Sequence, residues 1–202
     1  KEERSNRKLS KQIIRDIEKM PKNAHPMDVT RTVVSLMSLE DKETKNSSPD
    51  ASMRKAMRIF AKTPTAVAAY FRSRKGKKVI NPSTKLSFSE NFFKMMFGKM
   101  PDKEIVKAFD VSLILYAEHS FNVSTFTART ITSSLSDIHG AITGAIASLK
   151  GPLHGGANEA VMHMMKEISS PKKAKKWIEN AIKNKDVIMG FGHRVYRSGD
   201  SR

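Results

Sequence analysis

Apolar residues recur at intervals of three and four positions along most of the chain, with lysine and arginine between them. One such stripe runs from Leu9 to Met20 and ends at Pro21. A second begins at His25-Pro26-Met27-Asp28, where a proline in the first helical turn removes no hydrogen bond. Because no segment alternates convincingly between apolar and polar residues, we predict an all-α fold without strands.

The remaining pattern predicts further helices joined by polar loops. Residues 40–52 are charged and end in Asn-Ser-Ser-Pro-Asp-Ala-Ser, which is typical of a surface loop. Pro64 is expected to kink the following helix or to start a new one. Predicted helices cover about residues 53–74, 88–97, 158–168 and 171–184, and another starts at the turn 98–102 and carries apolar residues up to Tyr116.

Small residues dominate the stretch from Ser133 to Leu149, beyond a polar patch at residues 118–125. Alanine, glycine and serine allow two helices to approach closely. We therefore predict that this stretch is a buried helix, packed backbone to backbone against a neighbour.

The composition limits the classes of function. A chain of 202 residues is long enough for one domain or for a large and a small lobe. The absence of cysteine excludes disulfides and thiolate metal sites and fits a reducing compartment. No apolar run reaches the roughly 18 residues of a membrane span. The net charge of +17 fits a solvated lysine-rich surface, a nucleic-acid interface or a site for a small polyanion, and charge alone does not decide among them.

Three histidines, His119, His154 and His193, lie beside glycine or asparagine where predicted helices end. Flanking glycines let the backbone approach a ligand closely, so these are the candidate functional residues, although each could also be structural. His25 is expected to cap a helix, whereas His139 and His163 are expected to be packing or surface residues. The spacing of the histidines fits no metal-binding motif, and no Gly-x-Ser-x-Gly elbow is present.

Four segments together resemble the citrate synthase family. Gly-Pro-Leu-His-Gly-Gly-Ala-Asn-Glu-Ala (151–160) and Gly-Phe-Gly-His-Arg-Val-Tyr-Arg-Ser-Gly-Asp-Ser-Arg (190–202) are similar to its two signature segments. Residues 115–129 resemble its oxaloacetate-contacting segment, and residues 24–29 resemble the start of one of its helices. The sequence Ala-Glu-His-Ser-Phe-Asn is closer to that of the 2-methylcitrate synthase branch than to that of the hexameric or mitochondrial citrate synthases. The chain has Asp200-Ser201-Arg202 where many relatives have Asp-Pro-Arg.

The resemblance implies a role for each matching residue. His154 would donate a hydrogen bond to the thioester oxygen of an acyl-CoA, and His193 would polarise the ketone of oxaloacetate. His119 and Arg202 would hold oxaloacetate, since a fixed guanidinium suits a carboxylate. The CoA-binding loop would be Val187, Ile188, Met189, Gly190 and Phe191. The basic cluster Arg72–Lys78 is a further candidate for the CoA phosphates, against its interpretation as a solvated charge run.

The resemblance also implies the setting of this chemistry. Residues 1–150 would be part of the large helical domain and residues 151–202 the start of the small domain of a two-domain helical fold. The partners would be propionyl-CoA or acetyl-CoA, oxaloacetate and a second copy in a homodimer, with no permanently bound cofactor, no metal, no nucleic acid and no membrane. The helix within residues 133–149 is the candidate for packing across the subunit interface. A cytoplasmic location is expected, or the mitochondrial matrix in a eukaryote.

The family's general base, an Asp downstream of the second signature, has no counterpart in these 202 residues. We therefore expect a fragment that does not turn over by itself. Two alternatives stay open: a catalytically inactive family member acting as a scaffold, and a basic helical module that binds nucleic acid. The latter would bind with an affinity that falls steeply with salt.

Overall fold

The structure, a computed structural model, describes residues 1–118, 122–192 and 198–199. Within these ranges the chain forms ten α-helices and no β-strand, as the sequence predicted. The helices are α1 Glu2–Asn6, α2 Lys11–Lys19, α3 Pro26–Glu40, α4 Pro49–Arg74, α5 Phe88–Phe97, α6 Lys103–Leu115, α7 Val123–Thr132, α8 Ile138–Leu149, α9 Gly156–Ile168 and α10 Pro171–Asn184. No helix of this described part combines the length and the apolar character needed to cross a membrane.

The chain divides into two compact units, Lys1–Ala147 and Ser148–Arg202. The first contains α1 to α7 and most of α8, and the second contains α9 and α10. The assignment of residues 1–150 and 151–202 to a large and a small domain stays a prediction.

Helix α4 is the central element of the first unit, because α1, α2, α3 and α5 all pack against it. Its Tyr70 is buried, with the hydroxyl oxygen 2.7 Å from the carbonyl of Pro21 and 2.9 Å from that of Ala24. The apolar stripes predicted from the sequence meet around this residue. The core cluster consists of Leu9, Ile13, Ile17, Val29, Val33, Met37, Ala66, Ala69 and Tyr70.

Side-chain caps fix where several helices begin. Ser10, Ser48 and Ser87 accept hydrogen bonds from the backbone of the first turns of α2, α4 and α5, and Glu90 completes a capping box with Ser87. His25 caps α3 by accepting from the Met27 N–H at 3.2 Å, which confirms its predicted role.

Helix α4 differs from the prediction in two respects. It begins at Pro49 rather than near residue 53, because Ser48 caps it and Pro49 occupies its first turn. It also continues through Pro64 without a break. Packing on four neighbouring helices outweighs the loss of one backbone hydrogen bond at the proline.

Helices α7 and α8 correct the interpretation of residues 118–149. α7 begins at Val123 within the predicted polar patch, and α8 begins only at Ile138. The prediction of a buried small-residue helix was wrong for this chain, since only His139 and Ala141 of α8 are buried. Close approach does occur at Gly144, where the side chain of Ile131 from α7 fills the space that a Cβ would need.

Candidate active site

His154 lies in a tight turn between α8 and α9. The backbone N–H of His154 donates to the carbonyl of Gly151 at 3.0 Å, and the N–H of Gly156 donates to the same oxygen at 3.1 Å. Two donors thus converge on one carbonyl and fold the chain back on itself immediately before α9. The His154 side chain is half-buried, whereas the neighbouring Leu153 is exposed.

The two glycines after His154 are required by space. A Cβ on Gly155 would lie 2.6 Å from the carbonyl oxygen of Leu149 and 2.7 Å from Cδ1 of the Leu149 side chain. A Cβ on Gly156 would lie 2.7 Å from the carbonyl oxygen of Lys150 and 2.8 Å from that of Gly151. Real side chains do not approach this closely, so this turn can form only without side chains at these positions. The local sequence around His154 therefore has a steric explanation.

His154 lies two positions before Gly156, the first residue of α9. The N-terminus of a helix carries a partial positive charge, although the first N–H groups of α9 are paired here: those of Gly156, Ala157 and Asn158 donate to the carbonyls of Gly151, His154 and Gly155. This arrangement favours negative charge in the vicinity, either on an anionic ligand or on an oxygen that becomes negative during a reaction.

The candidate CoA-binding residues Val187, Ile188, Met189, Gly190 and Phe191 follow the end of α10. Two backbone hydrogen bonds close that helix, from Asp186 to the Ala181 carbonyl and from Lys185 to the Ile182 carbonyl. The chain then forms a second turn, closed by the Phe191 N–H on the Ile188 carbonyl at 3.3 Å, with Gly190 at a φ of +93°. Glycine adopts this conformation without strain. The side chains of Val187 and Phe191 are 80% and 75% exposed.

Both turns lie next to helix α9. A Cβ on Gly190 would lie 3.5 Å from Cγ2 of Val161, so the 187–191 turn packs directly against this helix. His154 precedes the first turn of the same helix. The structure therefore brings the 151–155 turn and the 187–191 turn onto one element, and it does so through Val161, a contact that the sequence motifs alone did not reveal.

His119, His193 and Arg202 lie outside the described residues. The residue that follows the 119–121 gap, Asn122, caps α7 by accepting from the Thr125 N–H at 2.6 Å. In the sequence, His119 stands three positions before this N-cap residue.

The arginines of the Arg72–Lys78 cluster bind backbone carbonyl groups. Arg72 donates to the carbonyls of Lys78 and Met96, and Arg74 donates to that of Lys22. Lys75 lies over the ring of Phe71, with Nζ 4.3 Å from the ring centroid. These contacts favour a structural role for Arg72, Arg74 and Lys75 over contact with CoA phosphates. Among the described side chains, no group of three metal-ligating residues is arranged to hold an ion.

Comparison with known proteins gives a consistent result. Residues 1–202 match the family model described as "Citrate synthase, C-terminal domain". The chain is 49% identical over 200 residues to a citrate synthase from Mycolicibacterium smegmatis, covering 99% of the chain and 53% of that protein. It is 50% identical over 200 residues to a 2-methylcitrate synthase from Mycobacterium tuberculosis, covering 99% of the chain and 50% of that protein. The chain thus spans about half the length of the curated relatives it matches.

Solved structures agree with the sequence matches. A ternary complex of citrate synthase from Thermoplasma acidophilum with carboxymethyl coenzyme A and oxaloacetate matches with a TM-score of 0.88 at 31% identity, covering 99% of this chain and 52% of that one. The citrate synthase from Pyrobaculum aerophilum matches with a TM-score of 0.86 at 36% identity, covering 96% of this chain and 51% of that one. On the match of the whole chain to the family model, supported by these relatives, the chain belongs to the citrate synthase family.

Proposed function

We propose that this chain forms part of an enzyme that condenses propionyl-CoA or acetyl-CoA with oxaloacetate and releases CoA. The proposal rests mainly on the position in which the structure holds the His154 side chain. A half-buried imidazole is held in a glycine turn before α9, and the exposed 187–191 turn packs on the same helix. This is a suitable arrangement for a thioester whose CoA portion extends over an exposed backbone turn.

The chemistry requires stabilisation of an enolate. Removing the α-proton of the thioester places negative charge on its carbonyl oxygen, and a positioned hydrogen-bond donor lowers the energy of that charge. His154 would donate to this oxygen, and the positive end of the α9 dipole would act in the same direction. The proton would pass to a carboxylate base that the family resemblance places outside these 202 residues.

Carbon–carbon bond formation then involves the second substrate. The α-carbon attacks the ketone carbon of oxaloacetate, and His193 would donate a hydrogen bond to the ketone oxygen as it becomes an alkoxide. Arg202 would bind a carboxylate of oxaloacetate with two parallel hydrogen bonds, and His119 would help to orient the same molecule. Water then cleaves the thioester bond, which gives the tricarboxylic acid and the free thiol of CoA.

The 187–191 turn would bind CoA mainly through its backbone. In this turn the side chains of Val187 and Phe191 project into solvent, while those of Ile188 and Met189 are half-buried. An exposed turn of this kind offers N–H and carbonyl groups to the edge of a planar base.

We further propose that the enzyme belongs to the 2-methylcitrate branch and is a homodimer. The Ala117-Glu118-His119-Ser120-Phe121-Asn122 wording supports the branch, while curated relatives of similar identity carry both names. The dimer is supported by α6, which has an apolar sequence yet contains no buried residue. Ile114 of this helix is 73% exposed. A cytoplasmic location, or the mitochondrial matrix in a eukaryote, belongs to the same proposal.

The test is turnover of an enzyme containing this chain with each thioester at matched oxaloacetate. CoA release that requires oxaloacetate, with a product equal in mass to the thioester plus oxaloacetate plus water minus free CoA, supports the proposal. A larger kcat/KM for propionyl-CoA supports the 2-methylcitrate branch, whereas a larger value for acetyl-CoA favours citrate synthase proper. Bound oxaloacetate without CoA release from either thioester would overturn the proposed activity.

A further inference from the structure

We propose that Leu149, the last residue of α8, is a positioning residue for His154. The inference rests on the proposed function only for its effect on rate, since the contact itself is independent of any activity. None of the segments that resemble the family's signatures includes Leu149, because the first of them starts at residue 151.

The contact is between the Leu149 side chain and the bare Cα of Gly155. The Cδ1 and Cγ atoms of Leu149 lie 2.7 Å and 3.0 Å from the point that a Gly155 Cβ would occupy. The carbonyl oxygen of Leu149 lies 2.6 Å from the same point. Leu149 therefore fills the position where any other residue would have its own side chain, and it packs against the residue immediately after His154.

Gly155 connects the two residues whose N–H groups share one acceptor. The N–H groups of His154 and Gly156 both donate to the carbonyl of Gly151. A displacement of Gly155 would lengthen one or both of these hydrogen bonds and rotate the peptide that carries the imidazole. The Leu149 side chain resists that displacement by van der Waals contact.

The exposure of Leu149 separates this role from a role in the core. Its side chain is 36% exposed, and it does not belong to the buried cluster of the first unit. The remaining two-thirds of its surface is buried, so truncation also removes packing, and the test has to separate a local effect on the turn from a loss of stability of the second unit. A catalytic group displaced by about 1 Å loses up to about a hundredfold in rate. Truncation at this position should therefore affect the turn and the rate more than the fold.

The first measurement is amide hydrogen exchange by NMR in the 202-residue chain. In Leu149→Ala, we expect exchange at the Gly156 N–H to rise about tenfold and the His154 ring shifts to move, while amides of α10, in the same unit, keep their protection. Leu149→Met restores both because it refills the space. Leu39→Ala, the same truncation at a leucine that is 81% exposed, is the control and should change neither.

The second measurement is kinetic and uses an active enzyme containing the chain. We expect Leu149→Ala to lower kcat about tenfold with the KM for oxaloacetate unchanged, and Leu149→Met to recover most of the rate.

Wild-type exchange at Gly156 in Leu149→Ala overturns the inference even if kcat falls. Exchange that rises equally throughout α10 also overturns it, since that result means general destabilisation of the second unit. If Leu149→Ala does not fold, Leu149→Val gives the same comparison. An inactive wild type with the expected exchange pattern counts against the proposed function alone.

Discussion

The Nε2 atom of His139 lies 3.6 Å from Oδ2 of Asp41, and the side chains of both residues are buried. The other ring nitrogen, Nδ1, lies 3.5 Å from Oδ1 of Asp137. Burial lowers the pKa of His139, and the two carboxylates oppose this effect without reversing it; Lys55 and Arg58 act in the same direction as burial. The folded protein therefore favours the neutral imidazole at this junction between α3, α4 and α8.

The stability of the chain should depend on pH through His139. Because its pKa is lowered on folding, the unfolded chain binds the proton more tightly. The stability that neutral His139 contributes is complete above pH 6.5, its pKa in the unfolded chain. It is lost as the pH falls below 6.5 towards the lowered pKa of the folded state. Urea unfolding at pH values between 7.5 and 5 should show this loss in the wild type and a flatter profile in His139→Gln.

The control for this pH dependence is His163→Gln, because the side chain of His163 is 71% exposed. It should keep the wild-type profile. Identical profiles for His139→Gln and the wild type would contradict the assignment of the pH dependence to His139.

Arg58 should be much more important for stability than Arg54, although the two are neighbours on the same helix. Arg58 binds both oxygens of Asp41, at 2.9 Å and 2.8 Å, and the Asp41 side chain is only 7% exposed. Arg58→Ala leaves that carboxylate buried without its partner, which should cost about 3 kcal/mol in the free energy of unfolding. Arg54 pairs with Glu43 and its side chain is 48% exposed, so Arg54→Ala should cost less than about 1 kcal/mol. Equal losses in denaturant unfolding would show that the Asp41 pair is not specifically stabilising.

The glycine turn before α9 makes a steric prediction. Gly155 has an ordinary φ of −65°, so Gly155→Ala tests space alone. The added Cβ would meet the Leu149 carbonyl oxygen at 2.6 Å, a backbone atom that cannot move without unwinding the helix end. We expect a loss of about 2 kcal/mol in thermal or denaturant unfolding.

Gly140→Ala is the matched substitution within α8. Its Cβ would meet two side-chain atoms, the Ser136 hydroxyl at 3.2 Å and Oδ2 of Asp137 at 3.8 Å, and the exchange of glycine for alanine favours the helix by up to about 1 kcal/mol. Gly140→Ala should therefore be neutral or stabilising. A Gly155→Ala variant as stable as Gly140→Ala would refute the steric account of the turn.

The sequence predicted those helices whose ends carry strong local signals. α5 is bounded by the Ser87 cap and Gly98, which has a φ of +79°, and α10 starts at Pro171; both have the predicted limits. α7 was missed because Thr125, Thr127, Thr130 and Thr132 have low helix propensity. In the structure, three of these hydroxyls donate to carbonyl groups four residues earlier. Such bonds depend on the helix already being formed, so the threonines give no local signal, and the Asn122 cap lies within the predicted polar patch.

The candidate site was predictable as a list of residues but not as a set of contacts. The position of His154 between glycines identified it, and the turn explains those glycines. The packing of Leu149 on Gly155 and of Val161 on Gly190 depends on where α8 and α9 lie in space. Helical periodicity does not specify that placement. The cluster around His139 was missed for the same reason, since Asp41 lies 98 positions earlier in the sequence.

The loss of condensation in His154→Ala is the most direct test of the proposed function. The measurement is CoA release from propionyl-CoA and oxaloacetate by an enzyme containing this chain, with oxaloacetate binding followed separately. We expect His154→Ala to lower kcat by about a hundredfold or more while oxaloacetate still binds, and His163→Ala to retain wild-type turnover. Unchanged turnover in His154→Ala would contradict the account.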